Sequence, residues 1–267
     1  KAIREGFVYS GGYSEFRKRN HGNSSKNLPA EQMVVFSQNH DQVGNRMLGE
    51  RLSTIVSFEA IKLAVGAVLL SPYIPLLFMG EEYGEDAPFL YFVSHSDHAL
   101  IDAVRQGRKR EFGEFQWQGE PPDPQGVETF QKSKIQWEKR VKGVHGKLLA
   151  FYKHLITLRK TIPALSHLDK TCLTVEGFEA EKIVCVRRWK DASQVGIIFN
   201  FNSSGVEITP PIPDGQWNKI ADSANKTWHG PGSPAADKLS SGGKIIIAGH
   251  GFVVYRKNEN TPNTGFL

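Results

Sequence analysis

The 267-residue chain is 39% hydrophobic and 10% aromatic, with 33 basic against 28 acidic residues and a net charge of +5. This is the composition of an ordinary globular protein, long enough for one large domain or two smaller ones and for a substantial core. Its only local basic cluster, Arg105-Gln106-Gly107-Arg108-Lys109-Arg110, is interrupted and followed by Glu111; it reads as a solvated helix end and not as a nucleic-acid stripe.

The chain opens on Lys1-Ala2-Ile3-Arg4-Glu5-Gly6, without an initiator methionine, and reads as the end of a helix already under way, hence as part of a longer protein. Met33 to Ser37 is a strand whose apolar run lacks alternation, which suits burial on both faces in a parallel sheet. Ser57 to Ser71 is a helix, with Phe58, Ile61, Val65, Val68 and Leu69 at three- and four-residue spacing, Ser57 as N-cap and Pro72 as the stop. The longest apolar stretch, Leu63 to Leu70, is too short to span a bilayer, so no membrane role is expected. Ile74 to Met79 is a second buried strand, ending in Gly80-Glu81-Glu82. Strand, helix, strand in this order is a βαβ unit with parallel neighbours.

From Tyr83 to about Gly146 periodicity is lost. Prolines 121, 122 and 124 and aromatics such as Phe89, Tyr91, Phe92, Phe112, Phe115, Trp117 and Trp137 mark an excursion of a length usually reserved for function. His95, Asp97 and His98 are metal-compatible types without an evident fourth ligand, so no metal and no cofactor is expected. A helix returns from about Gly146 to Thr161, with Leu148, Tyr152, Leu155, Ile156 and Arg159 on one face, and Ile162-Pro163 ends it. Beyond Pro163 short β-branched runs alternate with glycine, proline and asparagine turns: 173–175, 183–186, 195–201, 206–208, 217–220, 245–247 and 252–255. They describe an antiparallel domain of about a hundred residues, on the scale of a small sandwich. The expected division is therefore 1–163, 164–258 and a frayed tail 259–267. Cys172 and Cys185 fall on neighbouring strands; with no signal-peptide pattern, two free buried thiols in a reducing cytoplasm are expected.

The strand at Met33 runs into Gln38-Asn39-His40-Asp41-Gln42-Val43-Gly44-Asn45-Arg46, placing an amide, an imidazole, a carboxylate and a guanidinium just past its C-terminal end. In α/β barrels that end carries the chemistry. Asn39-His40-Asp41 resembles the signature of the α-amylase superfamily of glycoside hydrolases. The longer string, with Leu48-Gly49-Glu50-Arg51-Leu52 after it, resembles the maltooligosyltrehalose trehalohydrolases. At βαβ distance, Leu76-Leu77-Phe78-Met79-Gly80-Glu81-Glu82-Tyr83-Gly84 resembles the superfamily's eighth-strand motif. Gly11-Gly12-Tyr13-Ser14-Glu15-Phe16-Arg17, Arg19-Asn20-His21-Gly22 and Phe89-Leu90-Tyr91-Phe92-Val93-Ser94-His95 are also similar to trehalohydrolase strings.

The resemblance implies an α/β plus all-β chain: the last two βα units of a (β/α)8 barrel, incomplete here, followed by a C-terminal antiparallel β-sandwich. It implies that Asp41 is the carboxylate that stabilises the transition state by binding sugar hydroxyls, with His40 donating to one of them. Gln42, Asn45 and Arg46 then surround the cleaved bond, an alternative for Arg46 being a salt bridge to Glu81 or Glu82. Those two glutamates are expected to orient loops. Phe16 and Arg17 are expected in the pocket for the trehalose end, ordinary packing of Phe16 being the alternative. Retaining hydrolysis needs a nucleophile and an acid/base carboxyl about 5–5.5 Å apart, and the superfamily's nucleophile segment, of the type Gly-x-Arg-x-Asp, is absent from these residues. The chain alone is therefore expected to be inactive, and its expected partners are a malto-oligosaccharide or maltooligosyltrehalose and the missing N-terminal part of the same barrel. Rival readings are a glycogen branching or debranching enzyme, or a carbohydrate-binding fragment with Trp189, Trp217 and Trp228 as a stacking platform.

Overall fold

The computed structural model describes residues 1–114 and 120–258; Phe115, Trp117 and the tail 259–267 lie outside the described residues, as does the side chain of Phe112. Helix α1 (Ala2–Glu5) precedes a hairpin of β1 (Ser10–Ser14) and β2 (Arg19–Gly22). Strand β3 (Val34–Val35) leads into α2 (His40–Gly44), α3 (Leu52–Ile55), α4 (Phe58–Leu69) and β4 (Ile74–Pro75). Helices α5 (His98–Glu114), α6 (Val127–Lys132), α7 (Gly143–Thr161) and α8 (Pro163–Ser166) follow. The rest is β5 (Leu173–Phe178), β6 (Ile183–Lys190), β7 (Ser193–Asn200), β8 (Val206–Ile208), β9 (Gln216–Asp222), β10 (Lys238–Ser240), β11 (Ile245–Ile247) and β12 (Gly251–Lys257). Among the described residues no helix is long and apolar enough to cross a membrane.

Packing groups the chain into two units. One comprises Lys1–Val35, Glu59–Leu76 and Ala150 onward; the other comprises Phe36–Phe58 and Leu77–Leu149.

In the first unit β3 and β4 are parallel, Val34 opposite Ile74 and Val35 opposite Pro75, with α4 as the crossover. This is the expected βαβ unit, but each strand is only two residues long. Pro75 has no N–H for the ladder, which closes with the Leu76 amide donating to the Val35 carbonyl at 2.9 Å. The expected burial on both faces is not found. Among the described residues the pair has no third strand, which leaves Val34 56% and Ile74 37% exposed.

Helix α4 buries Ile61, Leu63, Val65, Val68 and Leu69, as its spacing demands. It lies so close to β12 that a Cβ on Gly66 would fall 2.3 Å from the Phe252 ring. Lys62 is also fully buried on this face. Its ammonium donates to the carbonyls of Ser223 (2.6 Å) and Trp228 (3.2 Å) and pairs with Glu59 at 2.9 Å. At the other end of α4 the carbonyls of Leu69 and of the residues that follow it, which have no partner within the helix, meet two arginines. Arg159 donates to Leu69, Ser71 and Tyr73, and Arg188 to Leu70, Ser71, Leu165 and His167. Burial, reinforced by the charge of Arg159, pushes Arg188 down to about 9.

Beyond α8 lies a six-stranded antiparallel sheet in the order β10-β9-β12-β7-β6-β5, with a separate ribbon of β8 and β11. Ile208, Ile245 and Ile247 of the ribbon share one core with Ile198, Trp217 and Val253 of the sheet. On the sheet's other side Phe252 meets Phe151 of α7. The antiparallel strands expected after Pro163 are thus present, and they pack in one unit with Lys1–Val35 and Glu59–Leu76. Strand β10 was not foreseen because only Leu239 in it is buried, between two exposed polar residues. Both cysteines are free; Cys185 is buried as expected, whereas Cys172 is only half-buried.

In the second unit the stretch read as lacking periodicity contains α5, of 17 residues. Its sequence HALIDAVRQGRKREFGE is charged on most sides, so an apolar stripe is hard to see. In the same unit, edge-to-face rings connect Phe78, Phe89, Phe92 and Phe130 at centroid separations of 5.3, 5.9 and 5.3 Å.

Candidate functional site

The turn after β3 is built around Asn39. Its side-chain oxygen accepts from the amides of Asp41 (2.8 Å) and Gln42 (3.2 Å), while Gln42 Oε1 accepts from the Asn39 amide at 2.9 Å. This is a capping box, and it starts α2 abruptly at His40. Asn39 and Gln42 thus hold the backbone, and the two residues between them point outward. The His40 and Asp41 side chains are 71% and 70% exposed, with Nε2 3.4 Å from Oδ1. A rigid turn here presents a carboxylate acceptor beside an imidazole donor, the pairing that suits vicinal hydroxyls.

The far end of α2 is braced by a residue that sequence reasoning missed. Arg108 of α5 donates to the Gly44 carbonyl (2.9 Å) and to Asn45 Oδ1 (3.1 Å), pairs with Glu111 at 2.8 Å, and lies 4.6 Å from the Tyr91 ring centroid. Its only trace in the sequence is the basic cluster read as a solvated helix end, and for Arg108 that reading is corrected. Arg46 makes a two-pronged contact with Glu50 at 3.3 and 3.2 Å. Burial works against the Glu50 charge, but backbone amides and Arg46 hold its carboxyl below the usual range. Gly49 has φ +60° and would place a Cβ 2.6 Å from the Phe89 backbone, so the loop closes there only with glycine.

The segment after β4 turns at Gly80, with φ +86°, into a 3-10 turn over Glu81–Tyr83. Glu81 is buried. The centre of this loop is Glu85, which the sequence reading did not single out. Its fully buried carboxylate accepts from the Tyr83 hydroxyl (2.9 Å) and from the amides of Asp86 (3.0 Å), Ala87 (2.9 Å) and Gln136 (2.6 Å). Burial pushes its pKa up, but these hydrogen bonds outweigh it and the net shift is downward. Arg51, also buried, donates to the carbonyls of Ala87 and Met79, both at 2.7 Å, and stacks over Phe78. Burial lowers its pKa, and Glu85 is the chief opposing charge. Gln38 joins in, its Oε1 accepting from the Leu52 amide at 3.0 Å.

Phe16 and Arg17 belong to the other unit, between β1 and β2. Phe16 is 87% exposed, which removes the packing alternative within this chain. Asp97 Oδ1 accepts from the Leu100 amide in the first turn of α5, while the His95 amide donates to Gln125 Oε1 and the His95 carbonyl accepts from Gln125 Nε2. Trp217 is fully buried, with Nε1 donating to the Pro213 carbonyl, so it belongs to no exposed stacking platform.

The chain is 41% identical over 215 residues to malto-oligosyltrehalose trehalohydrolase of Rhizobium sp. (strain M-11), an overlap of 79% of this chain and 35% of that protein. With the enzyme of the same name from Saccharolobus solfataricus it is 48% identical over 160 residues, 60% of this chain and 27% of that protein. It therefore spans about a third of the length of the curated relatives it matches. Among solved structures, a Salmonella typhimurium protein provisionally assigned as an alpha-amylase aligns over 96% of this chain and 40% of its own, at 34% identity and TM-score 0.78. The alpha-amylase from H. orenii, 18% identical with TM-score 0.51 over 84% of this chain and 40% of its own, shares the fold. No protein-family model matches the chain.

Proposed function

Because the chain is similar to the malto-oligosyltrehalose trehalohydrolases over about a third of their length, we propose that it is the C-terminal part of a retaining glycoside hydrolase. On this reading the parent cleaves the α-1,4-glucosidic bond next to the trehalose unit of maltooligosyltrehalose and releases trehalose. The parallel pair β3 and β4 with α4 is the end of its (β/α)8 barrel within residues 1–163, and residues 164–258 are its C-terminal β-domain. The observation that carries the reading is the outward-facing His40 and Asp41 on a capped and braced turn.

Asp41 accepts two hydroxyls of the sugar whose bond is broken, and His40 donates to one of them. Both contacts strengthen as the ring flattens and gains positive charge, so they favour the transition state over the ground state. Asn45 and Arg46 position the departing side, Phe16 and Arg17 serve the trehalose end, and Glu81 and Glu82 order the loops around Glu85. The nucleophile and acid/base carboxyls come from the part of the parent outside these residues, so the chain alone releases nothing. No cofactor enters the scheme, and the enzyme works in the cytoplasm.

Trehalose release from maltooligosyltrehalose is the test, on the 267-residue chain and on the full-length protein. The full-length protein should release trehalose, and Asp41→Asn in it should lower kcat by about 10²–10³-fold, the usual loss when one transition-state contact is removed. Branched glucan as product would replace this reading with a branching enzyme. Activity in the isolated chain would overturn the assignment of the missing carboxyls.

A further inference from the structure

The connection between α8 and β5 brings together three side chains of different chemistry. His167, Asp169 and Cys172 each offer a ligand atom, and these atoms lie within 4.8 Å of one another. His167 Nε2 is 3.4 Å and Cys172 Sγ 3.8 Å from the same Asp169 oxygen, Oδ2. With ordinary zinc bond lengths, tetrahedral coordination separates a nitrogen from an oxygen by about 3.4 Å and an oxygen from a sulfur by about 3.6 Å. Two of the three ligand separations thus lie close to those around a bound ion, and the third, between His167 and Cys172, is within 4.8 Å and closes by rotation of the Cys172 side chain.

The setting supports the same use. The other Asp169 oxygen, Oδ1, accepts from the Thr171 amide and the Thr171 hydroxyl, both at 2.7 Å, which fixes the carboxylate plane and aims Oδ2 at the other two groups. The His167 carbonyl accepts from buried Arg188 at 2.7 Å, anchoring the backbone that carries the imidazole. Such outer contacts are what hold metal ligands in orientation. All three side chains are half-buried, so solvent reaches the cluster and can supply a fourth ligand. Cys172 is free, and the other cysteine, Cys185, is buried in the sheet core away from this role.

We propose that His167, Asp169 and Cys172 bind one zinc-class divalent ion, clasping the segment that leads from α8 into the first strand of the sheet. A nitrogen, an oxygen and a thiolate sulfur together select zinc, or cobalt as its reporter, over magnesium and calcium, which prefer oxygen ligands alone. The site is independent of the proposed hydrolase, because none of its residues is assigned to sugar binding.

The test is titration of the metal-free protein with cobalt(II), followed by zinc competition. One equivalent should bind, with an intense thiolate-to-cobalt absorption that zinc displaces and Cys172→Ser abolishes. Asp169→Asn should weaken binding, and Thr171→Val should do so about tenfold through the lost outer contact. A second readout does not depend on folding of the variants: zinc should slow alkylation of Cys172 in the wild-type protein at least tenfold, and magnesium should not. Binding without a thiolate band, no binding at all, or alkylation indifferent to zinc each overturns the proposal.

Discussion

Replacing Lys62 by methionine isolates what a buried cation contributes to the α4 interface. Methionine keeps the unbranched stem and nearly the same volume, so the change is close to volume-conserving. What disappears is an ammonium whose three N–H donors are all used, two on the Ser223 and Trp228 carbonyls and one on Glu59. Burial lowers the Lys62 pKa and Glu59 raises it, the net shift being downward; the ammonium therefore carries a desolvation cost that methionine removes. Against that gain stand the loss of the donor to two carbonyls and a Glu59 carboxylate left without its partner. Breaking one side of a buried pair usually costs about 3–5 kcal/mol, and the lower half of that range is expected here because Glu59 is partly exposed. Urea unfolding followed by far-UV circular dichroism should show a lower midpoint with an unchanged slope. The double variant Lys62→Met/Glu59→Gln should recover part of the loss, since no uncompensated carboxylate remains. A single variant within about 1 kcal/mol of wild type, or a double variant as damaged as the sum of its parts, would refute the reasoning.

On the proposed hydrolase reading, Arg108→Leu should leave global stability nearly unchanged yet lower kcat of the full-length protein about tenfold or more by loosening α2, read out by steady-state trehalose release; an unaltered kcat removes Arg108 from the positioning of Asp41. Glu85 has a folded-state pKa below its ordinary 4.5, so its contribution to stability is fully present above about pH 4.5 and is lost as pH falls through the lower folded value. Glu85→Gln should flatten that acid limb in pH-dependent unfolding, and an unchanged limb would show that other carboxylates set it. Gly49→Ala meets both positive φ and the Phe89 backbone, and should lower the melting temperature by several degrees through a loss of about 2 kcal/mol or more.

Periodicity made α4 legible, because Ile61, Val65, Val68 and Leu69 recur at three- and four-residue spacing and are all buried. The β-branched runs after Pro163 were legible for the same kind of reason: β8 and β11 were found at their observed bounds, 206–208 and 245–247. Helix α5 was hidden because its polar residues are spread around the axis. The exposed half of the candidate site was visible as a motif, yet its supports were not. Arg108 lies 63 residues after its partner Asn45, and Gln136 lies 51 after Glu85; no local pattern announces pairings of that kind. The Arg46–Glu50 pair is close in sequence, but it closes across a non-helical turn that contains Gly49 at positive φ, so no helix-face rule points to it.

The two arginines at the end of α4 bear on the order in which the molecule is made. Their carbonyl partners begin at Leu69, while Arg159 and Arg188 follow Leu69 and Leu70 by 90 and 118 residues. During synthesis the carbonyls from Leu69 to Ser71 stay solvated until α7 has brought Arg159, and their full set of partners is complete only when β6 has brought Arg188. Closing that span is a non-local step of the kind that slows folding and lengthens exposure of apolar surface. Truncation before residue 188 would therefore do more than shorten the protein by a module: it would strip the Leu70 carbonyl, just past a far earlier helix, of its arginine and leave Arg159 to hold that end alone.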